Sequence, residues 1–151
     1  MTNRLQDQVI FITGAARGIG AETARVAARK GARLSLVGKE PALLKALCGE
    51  LTAQGAQAVW FECDVTNQPS LDGAVAHTVA TLGGIDVVIA NAGIANNGTV
   101  AVNPVDAICR VVEVNLLGVM RTVSATLPHV TERKGHYLLV SSAAAFRAVP
   151  G

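Results

Sequence analysis

Two kinds of apolar run take turns along the chain. VIFIT at 9–13 and the VVIA inside IDVVIANAG at 85–93 are unbroken. Runs without polar alternation are expected of strands covered on both faces, so Val9 to Thr13 and Val87 to Ala90 are predicted to lie mid-sheet. RLSLVG at 33–38, AQAVWFECDV at 56–65 and HYLLVSS at 136–142, the last entered through Gly135, add further strand-type runs. Between them apolar residues recur every three or four positions: Leu43, Leu44, Leu47 and Leu51 in a helix predicted over 40–54, and Leu71, Val75, Val79 and Leu82 in one over 70–82. Another helix is predicted over 18–30, and after Pro104 a single long one, Val105 to Val130. Strands separated by helices imply crossover connections, hence an α/β chain with a parallel sheet.

Composition narrows this only a little. With 151 residues, half of them hydrophobic, residues 1–151 suffice for a single domain with a real core. The formal net charge is +2, and the charges are interspersed. Neither a nucleic-acid surface nor a polybasic membrane patch is therefore expected. The start, MTNRLQDQ, lacks the apolar core of a signal peptide, and no apolar run approaches the roughly 20 residues of a bilayer span, so a cytoplasmic protein is expected. Cys48, Cys63 and Cys109 are far apart and show no metal-ligand spacing, which suits reduced, buried thiols and no metal site.

The first strand runs into TGAARGIGAETARVAARKG. In the turn from Gly14 through Arg17, Gly18 and Ile19 to Gly20, the glycines permit a sharp reversal and close approach of an anion. The following helix start offers amide hydrogens and a positive dipole end to a pyrophosphate. Small residues also serve tight strand-to-helix packing, and the turn alone does not separate the two readings. The spacing is not GxxxxGK followed by Ser or Thr, which disfavours a P-loop.

Four ordered motifs resemble the short-chain dehydrogenase/reductase family: TGxxxGxG at the turn, CDV at 63–65, NAG at 91–93, and VNLLG at 114–118 followed by the tandem SS at 141–142. The resemblance implies a Rossmann-type, doubly wound sheet of order 3-2-1-4-5, with a cleft where the winding reverses beyond strands one and four. It implies that Asp64 and Val65 hold the adenine, that Asn91 braces the sheet and that Ala92 and Gly93 line the cofactor cleft. It also implies that Asn115 opens its helix and holds a water in a proton relay, and that Ser142 meets the substrate oxygen. By spacing alone Asn115 reads rather as a satisfied core amide, and Ser142 equally as a strand-end hydroxyl.

Cofactor choice in such folds falls at the end of the second strand, where a carboxylate bonds the ribose and repels a 2′-phosphate. Here Gly38 and Lys39 stand in that place. Lys39 and Arg17 fit a 2′-phosphate, so NADP is expected over NAD. Against this, both cations suit a solvated surface, and an inward Glu40 favours NAD.

The implied reaction is hydride transfer between nicotinamide and an alcohol or ketone, with a Tyr as proton donor, its pKa of about 10 lowered by a Lys four residues later. No YxxxK is present: the residue four after Tyr137 is Ser141. In family members resembling SSAAAFRAVPG that motif comes within a few residues. The expectation is a chain that halts before its proton donor, has little or no turnover, and leaves the fifth strand as a bare edge. Homo-oligomers through the Val105 to Val130 helix are implied by the same resemblance. A non-catalytic NADP-binding or interaction module is the alternative. A methyltransferase using S-adenosylmethionine is disfavoured by Gly38-Lys39 and by Asn91-Ala92-Gly93.

Overall fold

Residues 5–96 and 98–143 are described in the computed structural model. The last stretch, where the expectation about the Pro-Gly ending falls, lies outside them. Five strands pair in parallel, β1 (Val9–Thr13), β2 (Arg33–Gly38), β3 (Ala58–Glu62), β4 (Val87–Ala90) and β5 (His136–Leu139), in the order β3-β2-β1-β4-β5. The expected doubly wound order is therefore present. Every residue of β1 and β4 is buried, as their unbroken apolar runs require. Between the strands run α1 (Gly18–Arg29), α2 (Pro41–Ala53) and α3 (Gln68–Leu82).

Alternation along the strands sorts side chains into two cores. Ile10, Ile12, Leu34 and Leu36 face the layer holding Ala24 of α1 and Leu44, Leu47 and Leu51 of α2. Phe11, Val37 and Val88 face the opposite layer, with Leu71 and Val75 of α3. Each layer is tied by a polar link. Arg25 and Glu50 join α1 to α2 through contacts of 2.8 and 2.7 Å, and the buried Ser35 and Thr78 hydroxyls lie 2.7 Å apart between β2 and α3.

One helix start follows its cap rather than the apolar spacing. α3 starts at Gln68, two residues earlier than expected, because the Asn67 side chain accepts from the Ser70 amide at 2.9 Å. β3 stops at Glu62, and Cys63 to Val65 form the loop beyond it. Leu43, expected on the buried face of α2, is exposed. Of the three thiols, all free, Cys63 is buried, Cys48 half-buried and Cys109 exposed, against the expectation that all three are interior.

The largest departure concerns the helix after Pro104. Instead of one helix to Val130 there are α4 (Val105–Val112), a π segment (Glu113–Leu117) and α5 (Gly118–Glu132). A π turn adds one residue to a helix and rotates the downstream turns by about 100°. Three- and four-residue spacing survives on either side of it, so periodicity does not reveal it. Gly118 marks the junction: a Cβ there would stand 2.7 Å from Val65 Cγ2. Ile108, Val111 and Val112 do not form a buried face, since α4 buries none of its residues. Among the described residues no helix is long and apolar enough to cross a membrane.

Candidate functional site

Between Thr13 and Gly18 the chain must leave the sheet and enter α1. Gly14 does so with φ of 65°, where a Cβ would come within 2.8 Å of Ala92 Cα. Gly18 also takes positive φ, 57°, with open space around it. Gly20 serves the packing reading: a Cβ there would run into the Gly14 carbonyl. Arg17 occupies the cap position of α1 without offering a side-chain acceptor. The first amides of the helix are thereby left for an anion.

Asn91 and Thr13 lock the adjacent ends of β1 and β4. The Asn91 amide nitrogen donates to the carbonyls of Thr13 at 3.1 Å and Gly14 at 3.2 Å. The Thr13 hydroxyl oxygen accepts from the backbone of Asn91 and Ala92, both at 3.1 Å. These bonds tie β1 to β4 at the floor of a cleft of about 650 Å³. Gly14, Arg17, Ile19, Gly38 and Lys39 line one side, and Asp64, Val65, Asn91, Ala92 and Gly93 the other. Of the expected binding residues only Gly18 and Gly20 are not on its wall.

Charges at the mouth form one pair and one cluster of three. Arg17 meets Glu40 at 3.1 Å. Lys39 donates to Asp64 Oδ2 at 2.8 Å, and Arg110 of α4 reaches the same oxygen at 3.2 Å. Asp64 Oδ1 accepts from the Thr66 amide at 2.9 Å and from its hydroxyl at 2.7 Å. Burial pushes the Asp64 carboxyl up, but the Lys39 ammonium and the two Thr66 bonds outweigh it and hold the carboxyl well below the usual range. Next to it, burial pushes the Cys63 thiol up, with the Asp64 charge adding to that and a Ser70 contact opposing it. The thiol is therefore kept protonated at neutral pH.

A second cleft of about 500 Å³ continues from the first and shares Ile19, Asn91, Ala92, Gly93 and Ile94 with it. Asn115, Ser141 and Ser142 stand on its far wall. The π segment turns Asn115 toward the strand-four loop, where its oxygen accepts from the Ile94 amide at 2.9 Å and its nitrogen donates to the Ile94 carbonyl at 2.8 Å. Both ends of the side chain are thus satisfied by backbone. The single tyrosine is elsewhere: the Tyr137 hydroxyl lies 3.0 Å from that of Thr126 on α5.

Arg110 is the residue that sequence reasoning missed. It lies 46 positions from Asp64, on a helix whose face is not fixed by burial, and no spacing rule links the two. Glu40, the inward group that would favour NAD, lines the cleft but spends its charge on Arg17.

Known proteins with this architecture are numerous. One, glycine betaine reductase of Emericella nidulans, is 34% identical over 97% of this chain, which spans 12% of that protein. A solved structure of the alcohol dehydrogenase from Thermococcus sibiricus, complexed with 5-hydroxy-NADP, superposes with a TM-score of 0.91 at 33% identity, covering 95% of this chain and 61% of that one. NAD+-bound xylitol dehydrogenase gives 0.92 at 26% identity, covering 97% and 57%. The chain spans 12%, 60% and 60% of the lengths of three curated relatives it matches. The family described as short chain dehydrogenase matches residues 8–151. With its strand order, glycine turn and Asn91 brace, the chain belongs to the short-chain dehydrogenase family.

Proposed function

We propose that this chain binds NADP along the two joined clefts, and that the reaction it serves is hydride transfer between the nicotinamide and an alcohol or ketone. The observation that carries this is the continuity of the site. An anion-ready helix start and two cations lie at one end, Asn115 and Ser142 at the other, and one shared wall joins them. The residues fit such a group. Gly14 supplies a bend that a Cβ would block. The amides of α1 suit a pyrophosphate, and Asp64 and Val65 suit the adenine edge. Arg17 and Lys39 suit a 2′-phosphate, and the end of β2 carries glycine rather than a repelling carboxylate.

When bound, the nicotinamide supplies the site that gives or accepts hydride. Toward it, Ser142 orients the substrate oxygen by a hydrogen bond, and Asn115 holds the Ile94 backbone that walls this end of the cleft. The water relay implied for Asn115 then runs through its backbone, because its side chain is already paired at both ends. The proton must come from a group other than Tyr137, whose hydroxyl is committed to Thr126. The same reading expects these 151 residues, which carry no YxxxK, to bind cofactor without turnover, and includes a cytoplasmic homo-oligomer whose contact is the exposed apolar side of α4 and α5.

Titration calorimetry tests this directly. NADPH is expected to bind tighter than NADH, S-adenosylmethionine to give no heat, and the 151-residue chain to oxidise no NADPH in a spectrophotometric assay. Absence of heat with either reduced coenzyme, on folded protein, overturns the reading.

A further inference from the structure

The first cleft holds one cation more than the NADP reading uses. We propose that Arg110 is a positioning residue for cofactor choice: it keeps sole hold of Asp64 when Lys39 turns to a 2′-phosphate. The phosphate contact is then gained without leaving the carboxylate beside the adenine unpaired. The inference rests on the NADP reading and goes beyond it.

The geometry around Asp64 is redundant in one respect only. Its Oδ1 is filled by the two bonds from Thr66. Its Oδ2 receives two cations at once, Lys39 at 2.8 Å and Arg110 at 3.2 Å. The two differ in freedom. Arg110 also contacts the Thr66 hydroxyl at 3.3 Å, so its planar fork spans the Asp64–Thr66 turn at two points. Lys39 touches one atom, through a flexible stem whose side chain is 59% exposed. The Lys39 ammonium is free to leave, and the Arg110 guanidinium is built to stay.

Exchange of Lys39 from a carboxylate to a more highly charged phosphate is favourable provided that the carboxylate keeps a partner. Asp64, with 28% of its side chain exposed, suffers from losing its last counter-ion. With Arg110 present it never does. Without Arg110, Lys39 becomes the only cation on Oδ2, and each NADPH bound must pull it away. NADH lacks the 2′-phosphate and makes no such demand. Loss of Arg110 therefore acts on the ratio of the two affinities, which a purely structural contact leaves unmoved.

The test measures dissociation constants of the full-length protein for NADPH and NADH by calorimetry. Arg110→Met is expected to weaken NADPH about tenfold and NADH by less than about threefold, in line with charged-pair coupling. Arg110→Gln repeats the measurement with a polar side chain, and Arg110→Lys restores part of the ratio. Asp64→Asn separates the hand-over from simple attraction between Arg110 and the phosphate. In that background Lys39 is already free, so adding Arg110→Met leaves the NADPH to NADH ratio where it was. Equal weakening of both coenzymes, an unchanged ratio in Arg110→Met and Arg110→Gln, or the same NADPH-selective loss in the Asp64→Asn background each overturns the proposal. Wild-type protein that is folded yet binds neither coenzyme overturns the NADP reading, and this inference with it. Wild-type protein that prefers NADPH while the Arg110 variants match it overturns this inference alone.

Discussion

At Gly38 a side chain would have room. The nearest atoms to a Cβ placed there are Leu44 Cδ2 at 3.7 Å and Ala15 N and Ala16 Cβ at 3.8 Å, all ordinary contacts. Gly38→Asp is therefore expected to fold, at a cost of about 1–3 kcal/mol for a carboxylate at a buried position. The new carboxylate would stand on the cleft wall beside Lys39, where it repels a 2′-phosphate and accepts from ribose hydroxyls. NADPH affinity is expected to fall by about tenfold or more while NADH affinity holds or rises, as calorimetry with both coenzymes will read. An unchanged ratio places the 2′-phosphate somewhere other than the end of β2. At this scale the sequence was legible where chemistry is local. Gly14 and Gly38 sit at strand ends, where backbone geometry a few residues long decides what can stand there; the bonds of Asn91 to Thr13 and Gly14 span 78 and 77 positions and followed only from the family resemblance. The pairing of Lys39 and Arg110 on Asp64 was not legible, because it spans 25 and 46 positions and depends on where α4 lands.

Among the elements, β1 and β4 were legible because burial on both faces leaves an unbroken apolar run, whereas β3, half-buried, and β5, mostly exposed, were legible only as strand-type runs between helices. The π segment was hidden for the opposite reason: an inserted residue preserves the spacing on each side and changes only the phase between them. Its consequence is specific. By turning Asn115 onto Ile94 it staples the strand-four loop to the helix through two hydrogen bonds. Asn115→Ala removes both and is expected to cost about 1–2 kcal/mol, the lower end being favoured by the exposure of the pair. The more discriminating readout is hydrogen exchange. The Ile94 amide, which donates to Asn115 in this structure, is expected to exchange faster in Asn115→Ala, while amides in β1 and β4 keep their protection. Unchanged exchange at Ile94 means the staple does not form in solution, and the π segment then needs another explanation.

For the molecule as a whole, the outer surfaces of the helices are unequally apolar. α3 exposes no large hydrophobic residue and α1 and α2 only Ile19, Val26 and Leu43, whereas Val105, Val112, Leu116, Met120 and Leu127 form an exposed apolar stripe across α4, the π segment and α5. At about 1.5 Å per residue the stripe runs roughly 30 Å, long for a surface that meets only water. With a net charge of +2 there is little repulsion to keep two copies apart. Self-association through this stripe is accordingly expected, and sedimentation velocity across a concentration series will detect it as a rising weight-average mass. The double variant Leu116→Lys, Met120→Lys separates this from general stickiness. These side chains are 56% and 58% exposed, so their replacement leaves both cores intact and the monomer's melting temperature nearly unchanged. The charged pair would be trapped at the centre of the contact and abolish association. The exposed Ile19 and Val26 of α1 provide the control: lysine at those positions leaves association intact if the α4–α5 stripe is the interface. Wild-type protein that stays monomeric at micromolar concentration, or a double variant that still associates, removes this stripe as the contact between copies.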